Sequence, residues 1–396
     1  MSTTAERIRL TRDRATWLVY LQLGVFCTYL YGLSAALPLL RRDLGVSYAV
    51  AGLHGTAMAV GTVLAGLTLP ALSRRHGRRA ATWVGLAGMN AGVLLVMVPA
   101  LPATLLGFGL AGCFGSLALY ASMAALSDHH GPAGPAAISE ANGVGVVFGL
   151  AASFALSVAA QTVAGWRAAL LLTPVLTVAL VLAMGRVWIP ATGRAGGGPA
   201  PAAAGVVAAR PGWRFHVAGG VLFCCVALEF CFNLWAASLV AVNTGLSVEA
   251  AATGLTAFTA GLAAGRFAGG WLALRLPPHR LFVGALLLSG AGWLVFWPAG
   301  HPVLAYAGLA LAGLGVSLHF PLALAELIAT SDGHPHRASA AAPICAGAAV
   351  GVGPLVLGAL ADGFGTRQAF LVVPVAIALA VAGVLIARSR AAFHSR

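Results

Sequence analysis

Apolar residues run along this chain in long, almost unbroken stretches, and polar residues gather between them. A helix that crosses a bilayer needs about 20 apolar residues in a row. Twelve runs of that length are present, at roughly 16–39, 48–70, 81–100, 103–126, 136–160, 167–189, 214–240, 249–273, 281–300, 303–329, 338–361 and 368–388. Each predicts a transmembrane helix. The first is too long for a signal-peptide core and is expected to remain as a helix. Between the sixth and seventh runs lies Gly196-Gly197-Gly198-Pro199-Ala200-Pro201. Gly and Pro at that density favour a flexible linker over a packed element. The chain is thus expected to divide into a six-helix half at 1–190, a linker at 191–213 and a second six-helix half at 214–396.

The two halves carry the same marks at an offset of 200 residues. Leu44-Gly45-Val46-Ser47 returns as Thr244-Gly245-Leu246-Ser247. Gly61 returns as Gly261, Pro174 as Pro374, and Gly165-Trp166-Arg167 as Gly365-Thr366-Arg367. A duplicated, membrane-buried chain is the signature of a secondary transporter with its site between two like halves.

Composition agrees with a lipid-solvated chain. Hydrophobic residues make up 60% and charged residues 8%, against about 25% charged in a soluble domain. The net charge of +13 raises nucleic acid as a partner, but the Arg residues sit in loops and tails rather than along a basic, aromatic-bearing face. Their distribution reads instead as topology. With the N-terminus inside, only Arg41, Arg42, Arg167 and Arg367 face outward, while the other loop and tail Arg residues face inward. An excess of Arg on the cytoplasmic side predicts a multi-pass protein of the bacterial cytoplasmic membrane with both termini in the cytoplasm. The six cysteines lie in apolar runs, without the CxxC or Cys/His spacing of a metal site. No metal and no cofactor is expected.

Twelve helices, a 6+6 duplication and an inner central linker resemble the major facilitator superfamily. Its pattern between helices two and three is Gly-x-Leu-Ala/Ser-Asp-Arg-x-Gly-Arg-Arg/Lys. This chain reads Pro70-Ala71-Leu72-Ser73-Arg74-Arg75-His76-Gly77-Arg78-Arg79. Leu72, Ser73, Arg75, Gly77, Arg78 and Arg79 match; Pro70 replaces the first Gly and Arg74 replaces the Asp. The resemblance implies an all-α membrane protein in two pseudo-symmetric halves, with Arg75, Gly77, Arg78 and Arg79 in an inner gate loop. The family's Asp is held to lock that gate, so the lock here must differ or be absent. Physically, Gly77 permits a tight turn, and the Arg cluster suits an anionic inner leaflet. Drug–proton antiporters of the superfamily carry Gly-Pro in the fifth helix, which this chain lacks. Glu140-Ala141-Asn142 in that helix and Phe320-Pro321 in the tenth faintly resemble the fucose-permease-type symporters.

Ionisable groups inside a membrane cost about 2.5–3.5 kcal/mol each on insertion scales, so each needs a reason. Glu229 lies near the middle of the seventh run, where the halves would meet, with Asn233 one turn on and Trp235 close by. A carboxyl there can bind and release a proton, or hold a substrate hydroxyl or amine; otherwise it is a protonated structural group. Glu140 and Asn142 stand where the second half has Ala340 and Ala342. Glu140 is either a second coupling carboxylate or a brace against the 74–79 loop. Arg266 and Glu326 fall at similar depth in the second half and are expected to form a buried ion pair. His319, near the middle of the tenth run, is either a titrating group or a satisfied polar residue. Tyr29, Tyr31 and Tyr120 are candidate cavity residues, or simply packing.

These readings favour a monomeric carrier of a small organic solute, working by alternating access and coupled to protons. The alternative is a proton-antiport efflux pump. A sensor or a membrane enzyme is disfavoured: no nucleophile–base set is apparent, and Asp128-His129-His130 reads as a solvated loop. No catalytic residue is assigned.

Overall fold

The computed structural model describes residues 10–189, 212–273, 275–331 and 335–389. Most of the expected linker, 191–211, lies outside the described residues. Before the gap come α1 (Arg14–Leu44), α2 (Tyr48–Val96), α3 (Leu101–His130), α4 (Gly134–Ala160), α5 (Gly165–Leu170) and α6 (Leu172–Met184). After it come α7 (Trp213–Thr244), α8 (Val248–Ala251), α9 (Thr253–Ala273), α10 (Pro278–Phe296), α11 (Pro302–Val316), α12 (His319–Ala329), α13 (Pro335–Phe364), α14 (Thr366–Ala369) and α15 (Val372–Ser389). Residues before the gap are called the first half, those after it the second.

Ten helical stretches are long and apolar enough to cross a membrane. One of them, α2, serves for two crossings. Its 49 residues would span about 74 Å if straight, more than twice the hydrocarbon core. Gly77, at φ 79° and ψ 162°, turns the chain back on itself. No side chain adopts that conformation as readily as glycine. The eighth expected run, α9, is absent from the ten because Arg266 and its Gly and Thr residues dilute its apolarity. Its 21 residues still reach about 31 Å. The sixth, eighth, tenth and twelfth runs are each built from two consecutive helices: α5 with α6, α8 with α9, α11 with α12, and α14 with α15.

The 200-residue repeat reappears in the backbone. Gly45 and Gly245 both end long helices in the left-handed region, at φ 62° and 69°. Ser47 and Ser247 both cap the helix that follows, accepting from the backbone N–H three residues on. Gly165 and Gly365 both carry positive φ, 71° and 87°. Packing repeats as well. A Cβ on Gly61 would lie 2.1 Å from the Gly109 carbonyl oxygen, and one on Gly261 would lie 1.9 Å from that of Ala310. Backbones touch directly at both places, as small residues allow between membrane helices.

Candidate functional site

The two ends of the bundle differ. The terminal face is the end where α1 begins; the far face is where α1 stops. At the far face, hydrogen bonds and an ion pair cross from one half to the other. The backbone N–H groups of Tyr48 and Ala49, at the start of α2, donate to the Asp362 carboxylate of α13 at 2.8 and 2.7 Å. These are orphan donors of a helix N-terminus, where a negative charge is favoured by about 0.3–1 kcal/mol. Arg42 pairs with Glu249 of α8. Two turns deeper along α2, the Thr56 hydroxyl donates to the Gly351 carbonyl at 2.8 Å. Glycines let these backbones meet: a Cβ on Gly358 would lie 2.6 Å from the Tyr48 oxygen, and one on Gly52 would lie 3.0 Å from Leu355 Cα.

Trp235 belongs to this closure rather than to a cavity. It is fully buried, its indole N–H donates to the Pro354 carbonyl at 2.9 Å, and its ring packs on Tyr48 at 5.4 Å. Its nearness to Glu229 in sequence made Trp235 a candidate substrate contact; in this conformation it is packed between the halves.

In the middle of the bundle, the candidate residues Tyr31, Glu229 and Arg266 lie on α1, α7 and α9, and α7 packs against both of the others. Cys27 and Tyr31 of α1 press on α4, where a Cβ on Gly145 would meet the Cys27 sulfur at 2.8 Å and one on Gly149 the Tyr31 ring at 2.3 Å. Glu229 of α7 and Arg266 of α9 are both half-buried. Neither Glu229 nor Arg266 makes an ion pair or side-chain hydrogen bond with the described residues. Asn233 lies one turn along α7 from Glu229, buried, with its amide oxygen lacking a partner. Phe267 of α9 reaches across to α4, where a Cβ on Gly143 would lie 3.6 Å from its ring. The arrangement sets two opposite, unpaired charges and an amide at the seam, where the low dielectric strengthens their action on any polar solute.

The expected Arg266–Glu326 pair is not formed. The break between α11 and α12 at Ser317–Leu318 accounts for this. Beyond it, α12 packs against α7 and α13, whereas α9 packs against α11, α4 and α7. Equal depth therefore does not place the two residues side by side. His319 opens α12 fully buried, and neither ring nitrogen has a hydrogen-bond partner. Tyr29 is buried against Gly115 and Phe26, whereas Tyr120 is 38% exposed. Asn142 is exposed, its amide donating back to the Ile138 carbonyl at 2.8 Å.

At the terminal face, the polar side-chain contacts that α1, α3 and α4 make among the described residues join elements of the first half. Arg12 grips Glu140 with two hydrogen bonds of 2.8 and 2.6 Å, and the Tyr20 hydroxyl adds a third at 3.0 Å. Glu140 is thus held by Arg12 of the N-terminal tail and by Tyr20, not by the 74–79 loop. Asp13 caps α1 by accepting from the Thr16 N–H at 2.8 Å, and its other oxygen lies 2.8 Å from His129 Nε2. Burial pushes the Asp13 carboxyl up, but the Thr16 and His129 hydrogen bonds outweigh it and hold the group at about 2. The Glu140 carboxylate in turn raises the Arg12 guanidinium further. His130 shares a 2.8 Å hydrogen bond with Thr16, so His129 and His130 tie down the tail instead of forming a free loop. In the loop itself, Arg78 pairs with Asp128, Arg79 donates to the Gly185 carbonyl at 2.9 Å, and Arg75 is exposed.

Sequence patterns missed Arg12, Asp362 and the Arg42–Glu249 pair. All are polar residues near helix ends, exposed except for the half-buried Glu249, where apolar periodicity carries no signal. The one usable mark is asymmetry: Asp362 stands where the first half has Thr162, and Glu249 where it has Ala49. No group of three or more His, Cys, Asp or Glu side chains that could hold a metal is found among the described residues.

Among curated proteins no match to the sequence is found. Solved structures match along nearly the whole chain. A bacterial homologue of the human lysosomal transporter Spinster, inward-facing and unoccupied, is 16% identical with a TM-score of 0.77, covering 95% of this chain and 96% of that one. The nucleoside transporter NupG is 11% identical with a TM-score of 0.73, covering 95% and 99%. The E. coli fucose:proton symporter FucP is 17% identical with a TM-score of 0.62, covering 94% and 98%. At these identities the likeness is one of fold. The family model described as Major Facilitator Superfamily matches residues 19–241 and again 219–394. The chain therefore belongs to the Major Facilitator Superfamily and is a membrane transporter, not an enzyme.

Proposed function

We propose that this transporter moves a small organic solute, together with a proton, by alternating access between two halves, 1–190 and 214–396, joined by the 191–213 linker. The observation that carries the reading is the pair Glu229 and Arg266, opposite charges at the seam that form no ion pair among the described residues. A buried charge without a close partner is expensive, so the cost has a use if a proton and a solute supply the missing partners in turn. Asn233, Tyr31 and Tyr120 are the accompanying polar lining. Far-face closure supports a state whose cavity faces the terminal side. The Arg distribution favours that side as the cytoplasm of a bacterial inner membrane, with both termini there. Glu140 is assigned a bracing role, and the protein is taken to act as a monomer.

Uptake by symport is favoured over antiport efflux, because the fifth helix lacks the antiporters' Gly-Pro and a fucose:proton symporter shares the fold. Fucose and a nucleoside are the first solutes to try, followed by organic acids, amino acids and antibiotics. A solute that binds only the folded protein raises its melting temperature. With that solute, proteoliposomes carrying Glu229→Gln should lose accumulation driven by a pH gradient and keep solute exchange, because Gln holds the hydrogen bonds but no titrating proton. Glu140→Gln should keep both. Accumulation by Glu229→Gln at the wild-type level would overturn the assignment. The sidedness is tested separately: cysteines at Thr3 and Gly197, in a cysteine-free background, should resist an impermeant thiol reagent in intact cells.

A further inference from the structure

Glu229 and Arg266 stand at nearly one depth on adjoining helices. The antiparallel helices α7 and α9 meet in two places. A Cβ on Gly254 would lie 3.2 Å from the Val240 side chain, and Phe232 stacks on Phe258 at 5.3 Å. Toward the terminal face, Glu229 follows Val240 by 11 residues and Phe232 by 3, and Arg266 follows Gly254 by 12 and Phe258 by 8. The two counts put the charges about 2 and about 8 Å apart in depth. Their polar atoms are also open to a solute. The Asn233 amide oxygen and both His319 ring nitrogens are closed off without a partner, whereas no atom of Glu229 or Arg266 is.

Among the described residues, the other charged side chains stand elsewhere. Glu140 has Arg12 as its partner. Glu326 lies three residues from the terminal end of α12, a helix that packs on α7 and α13. The remaining Arg, Asp and Glu residues sit in loops, near helix ends or at the Gly77 turn. The seam therefore offers one cation and one carboxylate, and no more.

That count limits the solute. An ionised Glu229 and Arg266 sum to zero, and a proton on Glu229 leaves the site at +1. A neutral solute would keep that charge in the loaded site, in a low dielectric where an uncompensated charge is costly. A cation would add to it, and a dianion would overshoot to −1. An amino acid would place its amine on Glu229 and its carboxylate on Arg266, leaving no acceptor for the proton. A monoanion brings the proton-loaded site back to zero.

We infer that the solute is a small monocarboxylate, held by Arg266 and carried with one proton on Glu229, so that no net charge crosses the membrane. The inference rests on the proposed proton coupling through Glu229 and names the solute class for that site. Arg presents two parallel N–H donors to a carboxylate and keeps its charge throughout the cycle. A phosphate monoester fits less well, because its charge lies nearer −2 at pH 7. Organic acids thus move ahead of fucose and nucleosides as probes.

The test is the melting temperature of the purified full chain in detergent at pH 7, titrated with lactate, pyruvate and benzoate, and in parallel with succinate, alanine, fucose and choline. At least one monocarboxylate should bind about tenfold more tightly than any of the other four. Arg266→Gln should weaken that binding by about tenfold, and Arg266→Lys, which keeps the charge without the fork, by less. Glu229→Gln should bind the acid at least as tightly as wild type, because the site then keeps its full positive charge; an amino acid would lose its amine partner there. Melting curves without solute check that each variant is folded. One further measurement needs no variant. In proteoliposomes, uptake of the acid under a pH gradient, corrected for leak into protein-free vesicles, should change by less than about twofold when a membrane potential is imposed. Binding of none of the acids, tighter binding of any of the other four solutes, weaker acid binding by Glu229→Gln, or uptake driven by the potential would each overturn the inference. Accumulation of fucose or alanine that requires Glu229 would overturn it and leave the coupling reading intact. Acid binding as described, with wild-type accumulation by Glu229→Gln, would instead overturn the coupling reading.

Discussion

The two ends of this bundle hold their helices by opposite means. At the far face, bonds run between the halves: Asp362 to the start of α2, Arg42 to Glu249, and Thr56 to the Gly351 carbonyl. At the terminal face, the bonds of the first half run inside it: Arg12 to Glu140, Asp13 to His129, Arg78 to Asp128. Polar contacts across a seam lock two bodies together, whereas polar contacts within a body stiffen it and leave it free to turn. The contrast gives each end a task in an alternating-access cycle. On the proposed alternating-access reading, the far face would be the gate that opens and the terminal face of the first half part of a rigid lever. Ordinary packing supports the same division. Glycines at the far face bring backbone onto backbone, while a Cβ on Gly347 would meet only the Val63 side chain at 3.4 Å and one on Gly143 only Phe267 at 3.6 Å.

The largest predicted effect follows from that packing. Gly358→Ala puts a Cβ 2.6 Å from the Tyr48 carbonyl oxygen. Backbone cannot swing aside, so the halves must part at the far face. Overpacking of this kind costs about 1–3 kcal/mol. A cysteine introduced by Thr56→Cys, in a cysteine-free background, should then react with a far-side impermeant thiol reagent more than about tenfold faster. Gly143→Ala, whose added Cβ makes ordinary contact, should leave that rate unchanged. Equal effects of the two substitutions would erase the distinction between the ends.

Next in size is Asp362→Ala. It strips two charge-assisted hydrogen bonds and the helix-terminal charge, but the group is exposed, so water replaces part of the loss. About 1 kcal/mol is expected, read as an approximately fivefold faster reaction at position 56. Asp362→Asn, which keeps acceptor capacity without the charge, should fall between wild type and Ala. No change in either would show that the gate is held by packing alone.

These effects bear on what the sequence could disclose. Backbone marks were legible because they are local: Gly45, Gly165 and their copies, Ser47 and Ser247, and the turn at Gly77 each follow from the residue itself. Helix runs were legible from apolarity, save that Arg266 dilutes α9. Glu229 stood out as a charge in an apolar run. The partner of Arg266 did not, because depth along a helix says nothing of azimuth, and the break at Ser317–Leu318 carries α12 away from α9. Asp362 and Arg12 were illegible for another reason. Their partners lie 314 and 128 residues away, and only the packed halves bring them together.

Smaller effects are expected at the terminal end. Arg12→Ala removes a bidentate pair whose side chains are 51% and 36% exposed. Pairs that open to solvent contribute little, so melting should fall by a few degrees at most. Reaction at position 56 should not move, because the contact lies inside one half. A change there comparable to that of Asp362→Ala would mean that the tail reports on the gate, and the comparison between the ends would fail.

The smallest effect is one of pH, at the cap of α1. The Asp13 carboxyl sits at about 2 rather than 3.8, because the Thr16 and His129 hydrogen bonds outweigh the opposing effect of burial. A carboxylate held below its ordinary value stabilises the fold at all pH above that value. The contribution shrinks as protons compete, and it is gone once pH has fallen through about 2. Asp13→Asn keeps a good cap for the first turn and removes only the charge. The melting temperature of the variant should therefore lie slightly below wild type from pH 7 down to about 4, and the gap should close toward pH 2. A gap that closes already near pH 6 would place the titrating group on a histidine of the tail contact instead. A gap that never closes would mean that the Asn variant loses packing rather than charge. In either case Asp13 would no longer count among the charges that stiffen the terminal end.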